Sequence, residues 1–247
     1  MTNTPGSASP GVAGRTVLVA GATSAAGIAV TAALSVAGAR VVAVGSNADR
    51  LQALRDQAPE AITHVCDLSS FAAVRALADT LRADSPRDSP RDSQRGGQRT
   101  IDGLIHLVGG WRGGGGLAGQ SDEDWEVLHR NIVTTLRNTT RAFNDDLLAS
   151  PAGRLAMVSS ASVDKPTPGG ANYAAAKSAA ETWTRAVGRG FARAGRDDSA
   201  SGVARAAAVI FVVRSLDGLE AELAAAIVGL WDADAASVNN SRMPLGP

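Results

Sequence analysis

The sequence has little of what would tie it to an oxidising compartment, to nucleic acid or to a bilayer. One cysteine, Cys66, stands among 247 residues. No internal disulfide can form and no second thiol is at hand for a metal site, so Cys66 reads as a small packing residue in a reducing compartment. An excess of either charge is missing too, since Lys plus Arg and Asp plus Glu number 24 each. The basic residues are scattered, which removes the electrostatic footprint that a nucleic-acid duplex or an anionic lipid surface requires. Long apolar runs are absent. The longest, Ala206–Val213, falls far short of the ~20 residues a membrane-crossing helix needs. The opening stretch is rich in Thr, Ser, Pro and Gly but has no basic segment followed by an apolar one, so it does not read as a secretion signal. Residues 1–14 are expected to form a flexible tail, and the protein is expected in the cytoplasm with no nucleic-acid, membrane or metal partner.

What is present, 45% hydrophobic residues in a chain of this length, suits one large α/β domain over residues 15–247. From Arg15 onward short β-branched runs alternate with longer segments of helical period, the pattern of a doubly wound parallel sheet flanked by helices, the Rossmann type. Strands are predicted at Thr16–Ala20, Val41–Val44, Leu104–Val108, Leu155–Val158 and Ala207–Val213, with a further strand before Asp67 and a short last one near Arg242–Leu245. Helices are predicted at Ala22–Ala37, after the capping hydroxyls of Ser69 and Ser70 as far as Arg82, at Asp122–Leu148, at Ala171–Ala194 and at Leu219–Trp231. The tract at about 85–100 repeats Asp-Ser-Pro-Arg and holds almost no apolar residue, so it reads as a solvated low-complexity insertion.

Between the first strand and first helix lies Ala20-Gly21-Ala22-Thr23-Ser24-Ala25-Ala26-Gly27. There a chain must turn sharply and can present backbone N–H groups to a diphosphate. Gly21 can take a positive φ at the turn, Gly27 lets the helix approach the sheet, and Ala25 is small enough to admit a cofactor. Thr23, Ser24 and Ala26 complete the candidate cradle. After the second strand, where NAD-dependent enzymes place a carboxylate for the adenosine ribose, the residues are Gly45, Ser46 and Asn47. No acid there repels a 2′-phosphate, and Ser46 and Asn47 can donate to one, so NADP(H) is favoured over NAD(H); Arg50 stands one helical turn on. Asp67 and Leu68 follow the third strand, Asp67 either touching an adenine edge or capping the next helix.

Tyr173, the only tyrosine, and Lys177 are four apart, which on a helix puts both on one face. A phenol of ordinary pKa ~10 is a poor proton donor at neutral pH, and a neighbouring ammonium is expected to pull that value down. Ser160 lies at the mouth of the strand that begins at Leu155, with Ser159 as its rival, and Asn131 sits within the preceding long helix.

With these residues in register, the chain resembles the short-chain dehydrogenase/reductase family over nearly all of Arg15 to Leu245. The glycine turn matches the family's T-G-x-x-x-G-x-G with Ala20 and Ala25 substituted and Gly21 and Gly27 kept, and Asn131, Ser160, Tyr173 and Lys177 match its tetrad in order and spacing. The resemblance implies hydride exchange at a nicotinamide while Tyr173 trades a proton with a carbonyl or alcohol oxygen. It further implies that Ser160 holds that oxygen, that Lys177 binds the nicotinamide ribose, and that Asn131 anchors a water. It implies a small-molecule substrate and a homodimer or homotetramer built through the two long helices.

Three departures stand out. The family's N-N-A-G appears as His106-Leu107-Val108-Gly109, which keeps Gly109 as a cofactor contact. His106 there reads as a satisfied core histidine. The family's Pro-Gly after the sixth strand is replaced by Val213-Arg214-Ser215, and the segment that normally covers substrate is nearly absent. The glycine-rich loop Gly109–Gly116, with Trp111 and Arg112, is the candidate substitute, while Trp125 and Trp183 read as packing anchors. The competing reading is a nucleotide-binding protein with little turnover, acting as a sensor or assembly module.

Overall fold

The β-branched runs pair as a seven-stranded parallel sheet in the computed structural model, which describes residues 11–84, 101–197 and 204–246. The strands are β1 (Thr16–Ala20), β2 (Arg40–Gly45), β3 (Ile62–Val65), β4 (Gly103–His106), β5 (Arg154–Ser160), β6 (Ala207–Val213) and β7 (Arg242–Pro244), in the order β3-β2-β1-β4-β5-β6-β7. The order reverses between β1 and β4, so a crevice opens where their carboxyl ends diverge, the place where such sheets bind ligands. Every residue of β6 is buried, as expected of a strand covered on both faces.

Eight α-helices are described: α1 (Ala25–Val36), α2 (Ala48–Gln57), α3 (Phe71–Ala83), α4 (Asp122–Leu128), α5 (Thr135–Ala149), α6 (Ala171–Asp197), α7 (Glu220–Val228) and α8 (Ala235–Val238). Alternate residues of β1 feed opposite cores, as a period of two dictates. Val17 and Val19 pack with Val30 and Leu34 of α1, Ile227 of α7 and Trp231. Leu18 and Ala20 pack with Val74 and Leu77 of α3, Phe143 and Leu147 of α5 and Phe191 of α6. This is the doubly wound, single-domain architecture the periodicities predict.

Two details differ from expectation. Residues 11–14, assigned to the tail, are tied to the fold: Val12 is buried, and the Gly14 N–H donates to the Gly38 carbonyl at 2.8 Å. Residues 1–10 and the insertion at 85–100 lie outside the described residues. The segment expected as one helix over 122–148 is interrupted by a π-helical stretch, His129–Thr134. There the Thr135 hydroxyl donates to the Asn131 carbonyl at 2.5 Å, a side-chain bond that competes with the regular helical ladder.

Candidate active site

The glycine turn is built by exclusion. Gly21 has φ +83°, and a Cβ there would stand 2.9 Å from the Leu107 carbonyl carbon; one on Gly27 would stand 2.4 Å from the Gly21 oxygen. Only hydrogens fit at either position. Ser24 locks the turn, its hydroxyl donating to the Gly21 carbonyl at 3.0 Å and accepting from Gly27 N at 3.0 Å as the cap of α1. The first-turn N–H groups of α1 therefore point into the crevice with the positive end of the helix dipole behind them.

Two adjoining cavities meet at this turn and share Ser24, Leu107, Val108 and Gly109. The smaller, about 370 Å³, is lined by Gly21, Thr23, Ser46, Asp67, Leu68 and Asn131, and also by Arg50. Arg50 reaches back to donate from Nη2 to the Thr23 carbonyl at 2.7 Å, which puts a fixed cation beside the candidate ribose pocket. Asn47 does not line it. Its Oδ1 accepts from Arg50 N at 2.9 Å as the cap of α2, so Asn47 is a helix cap whose Nδ2 donors are not used by that bond, and Arg50 lines the pocket. Asp67 accepts from both the N–H and hydroxyl of Ser69, at 2.9 and 2.7 Å, and these bonds hold its carboxyl below the usual range. Ser70, not Asp67, caps α3.

The larger cavity, about 830 Å³, is lined by Ala25, Ala26, Ser160, Tyr173 and Lys177 among others, and by Trp111 and Arg214 at its mouth. Register explains the serine. Met157 is level with His106 on β4, so β5 runs three residues further and carries Ser160 beyond the sheet edge, opposite Val213. Ser160 shares the cavity with Tyr173, its hydroxyl accepting from that of Ser162 at 2.9 Å, whereas the Ser159 hydroxyl is committed to Glu181 at 2.6 Å. Asn131 is in the neighbouring cavity, its carbonyl already engaged by Thr135. That carbonyl keeps a second lone pair, and the bond does not involve the Asn131 side chain.

The electrostatics depart from the expected partnership. Burial raises the Tyr173 phenol above its ordinary value, with the Ser160 hydroxyl opposing. Lys177 is pulled down to about 8 by burial, with Glu181 opposing. Its Nζ donates to the Val158 carbonyl at 2.8 Å and lies 5.8 Å from the Tyr173 ring centre. Desolvation penalises both charged forms and is the largest influence on each.

His106 is a buried, hydrogen-bonded histidine, as read from the sequence, whereas Asn138 and Gln120 were passed over. Burial pulls His106 down to about 3, and its Nε2 meets the Thr135 hydroxyl at 3.0 Å. That hydroxyl spends its hydrogen on Asn131, so Nε2 carries the imidazole proton. Asn138 donates to the Leu68 and Ser69 carbonyls at 3.1 and 2.9 Å, pinning the turn after β3. A polar residue on the inner face of α5 was the available signal. Gln120 joins the glycine loop to the start of α6: its Nε2 donates to the carbonyls of Gly114, Gly116 and Gly169, and its Oε1 accepts from Asn172 N. Of the tryptophans read as anchors, Trp183 donates to Thr140 at 2.9 Å, but Trp125 is 38% exposed and merely lies against His129.

A doubly wound sheet whose glycine turn, ribose-side pocket and Tyr-Lys pair share one crevice at the switch point defines a Rossmann-type, nucleotide-dependent oxidoreductase. The model of the short chain dehydrogenase family matches residues 15–195, and the chain belongs to that family. It is an NAD(P)-dependent enzyme. A Streptomyces violaceoruber protein described as ketoacyl reductase 1 of the granaticin polyketide synthase is 30% identical over 200 residues, 78% of this chain and 67% of that one. Among solved structures, the RhlG/NADP active-site complex of Pseudomonas aeruginosa superimposes with a TM-score of 0.78 at 18% identity, covering 96% of this chain and 97% of that one. The gluconate 5-dehydrogenase of Burkholderia cenocepacia, solved with NADP and tartrate, gives 0.74 at 22% identity, with 96% of each chain covered. Among the described residues no helix is long and apolar enough to cross a membrane.

Proposed function

We propose that the protein interconverts a carbonyl and an alcohol using NADP(H) in preference to NAD(H), with Ser160 and Tyr173 holding the reacting oxygen. The observation that carries this reading is the convergence of Ser160, Tyr173 and Lys177 on one cavity that adjoins the glycine turn through Ser24 and Gly109. The cofactor fits the residues present: the turn leaves room that any Cβ at Gly21 or Gly27 would remove, and α1 aims its free N–H groups there. Gly21, Thr23, Ser24, Ala25, Ala26 and Gly27 would hold the diphosphate, Asp67 and Leu68 the adenine side, and Gly109 and Lys177 the nicotinamide side. Ser46 and Arg50 would take the 2′-phosphate, a charge-assisted contact that NAD cannot offer. When bound, the nicotinamide supplies or accepts the hydride.

The chain's own residues do the rest. In reduction, Ser160 donates a hydrogen bond to the carbonyl oxygen and Tyr173 delivers the proton. The raised Tyr173 pKa keeps the phenol protonated at neutral pH, which suits reduction more than oxidation. Lys177, while cationic, stabilises the phenolate that remains.

The deciding experiment is a panel of ketones, quinones, β-ketoacyl thioesters and alcohols, followed by nicotinamide absorbance with each dinucleotide. Turnover of a carbonyl with NADPH is the expected result, and binding of NADPH without turnover of any of them would favour the sensor reading. A fluorescence titration is expected to give tighter NADPH than NADH binding; equal or reversed affinities overturn the cofactor preference.

A further inference from the structure

Behind the Tyr173–Lys177 pair, and unused by the chemistry above, Glu181 stands one turn further along α6 at 0% exposure. A carboxylate removed from water is costly unless its oxygens are paired. Oε1 accepts from the Ser159 hydroxyl at 2.6 Å and from Arg242 Nε at 3.1 Å, and Oε2 accepts from Arg185 Nη2 at 2.6 Å. The partners come from β5, β7 and α6, so one carboxylate ties the catalytic helix to two strand ends. Arg242 also donates to Asp164 at 2.7 Å, in the segment that leaves Ser160.

The surroundings of Lys177 make that position consequential. Its ammonium faces Tyr173 and Glu181 along its own helix, the Val158 carbonyl from β5, and His106 from β4. His106 is neutral at working pH, because burial keeps it far below its ordinary value. Glu181 is the anion that opposes the loss of the Lys177 proton on burial. Arg185 and Arg242 are 45% and 32% exposed on their side chains, so water partly screens them while the carboxylate stays sealed beside the lysine.

We propose that Glu181 is a positioning residue for this active site, holding Lys177 in its charged form from behind while its grip on Ser159 fixes the strand end that presents Ser160. The inference rests on the reading of Ser160, Tyr173 and Lys177 as the reacting set. Its test is chosen so that the two can fail separately.

Lys165 and Lys177 are the chain's lysines, so protein labelled with [15N]lysine gives side-chain signals that Lys165→Arg assigns by elimination. The Lys177 midpoint is expected to fall by about one pH unit in Glu181→Gln and to return toward the wild-type value in Glu181→Asp. The alkaline limb of kcat/KM for NADPH-dependent carbonyl reduction is expected to move down by the same interval. Should Glu181→Gln fail to fold, the pair Glu181→Gln/Arg242→Gln removes the less exposed of the two guanidiniums left unpaired along with the carboxylate charge and carries the same titration. An unmoved Lys177 midpoint overturns the proposal, and so does a midpoint that moves while the limb stays. If wild-type protein reduces no carbonyl, the functional reading falls, and the lysine titration still decides whether Glu181 sets the charge of Lys177.

Discussion

Tyr173 is the group on which proton transfer depends, and its surroundings suit an acid better than a base. Burial holds the phenol above its ordinary value, so the proton is present at neutral pH and leaves only when a developing alkoxide draws it. Tyr173→Phe is expected to lower turnover by ~10²-fold or more while NADPH affinity, read by fluorescence, stays close to wild type. Removing the hydroxyl takes away the transferable proton and leaves the glycine turn untouched. Lys177 sets the pH range. Its folded value is depressed to about 8, so the ammonium is present below that pH and is lost as pH rises through it. Reductive kcat/KM is therefore expected to be level through neutral pH and to fall above about 8, whereas oxidation, which needs the phenolate, gains with pH. A reductive rate that climbs between pH 8 and 10 would contradict this assignment.

At the scale of elements, the glycine loop after β4 is bound to the segment that leads into α6. Glycine content offered residues 109–116 as a candidate cover but could not show that they are clasped. Gln120 bonds the loop to Gly169 at 3.1 Å and to Asn172 N at 3.1 Å, four residues and one residue before Tyr173. The Gly114 N–H adds a bond to the Gly169 carbonyl at 2.8 Å. Trp111, 66% exposed at the cavity mouth, thus hangs from a tethered segment. Gln120→Ala removes the side chain that satisfies three carbonyls and is expected to raise KM for substrate several-fold, on the order of one lost hydrogen bond at about 1 kcal/mol. Because the clasp does not touch the dinucleotide cradle, NADPH affinity is expected to stay unchanged; a fall in NADPH affinity alone would place Gln120's role elsewhere. The π-helical stretch at Asn131 is the other feature of this scale that periodicity could not show, since a single extra residue per turn leaves the apolar pattern of the flanking helices intact.

For the whole molecule, stability and chemistry are separated to opposite ends of the sheet. At the amino end, Arg154 is buried and donates from Nε to the Leu230 carbonyl at 2.8 Å, and from Nη2 to that of Ala233 at 2.9 Å. Burial pulls its guanidinium down to about 10, so it stays charged at neutral pH through those carbonyls. Nearby, Trp231 is fully buried against Gly103, where a Cβ would stand 2.7 Å from its ring, and donates to the Ala152 carbonyl at 2.9 Å. Arg154→Met is expected to cost about 3 kcal/mol in urea unfolding while the folded fraction keeps its NADPH affinity, because the site lies at the carboxyl ends. Light scattering is expected to show a homodimer or homotetramer formed through the long helices on either side of β5; a monomer at micromolar concentration would refute that.

The glycine turn, the Tyr-Lys spacing and most of the alternation of strands and helices, though not α2 or α8, were determined by sequence alone, because each is a local matter of period, steric room or helical pitch. Which residues truly share the crevice was decided only by the tertiary structure. Asn47 turned out to be a cap while Arg50 lined the pocket, and Ser159 was drawn inward to Glu181 while Ser160 faced the phenol. The charge state of the Tyr173–Lys177 pair also belongs to the folded chain. Spacing brings an ammonium to a phenol, but desolvation by residues distant in sequence sets the proton affinity of both.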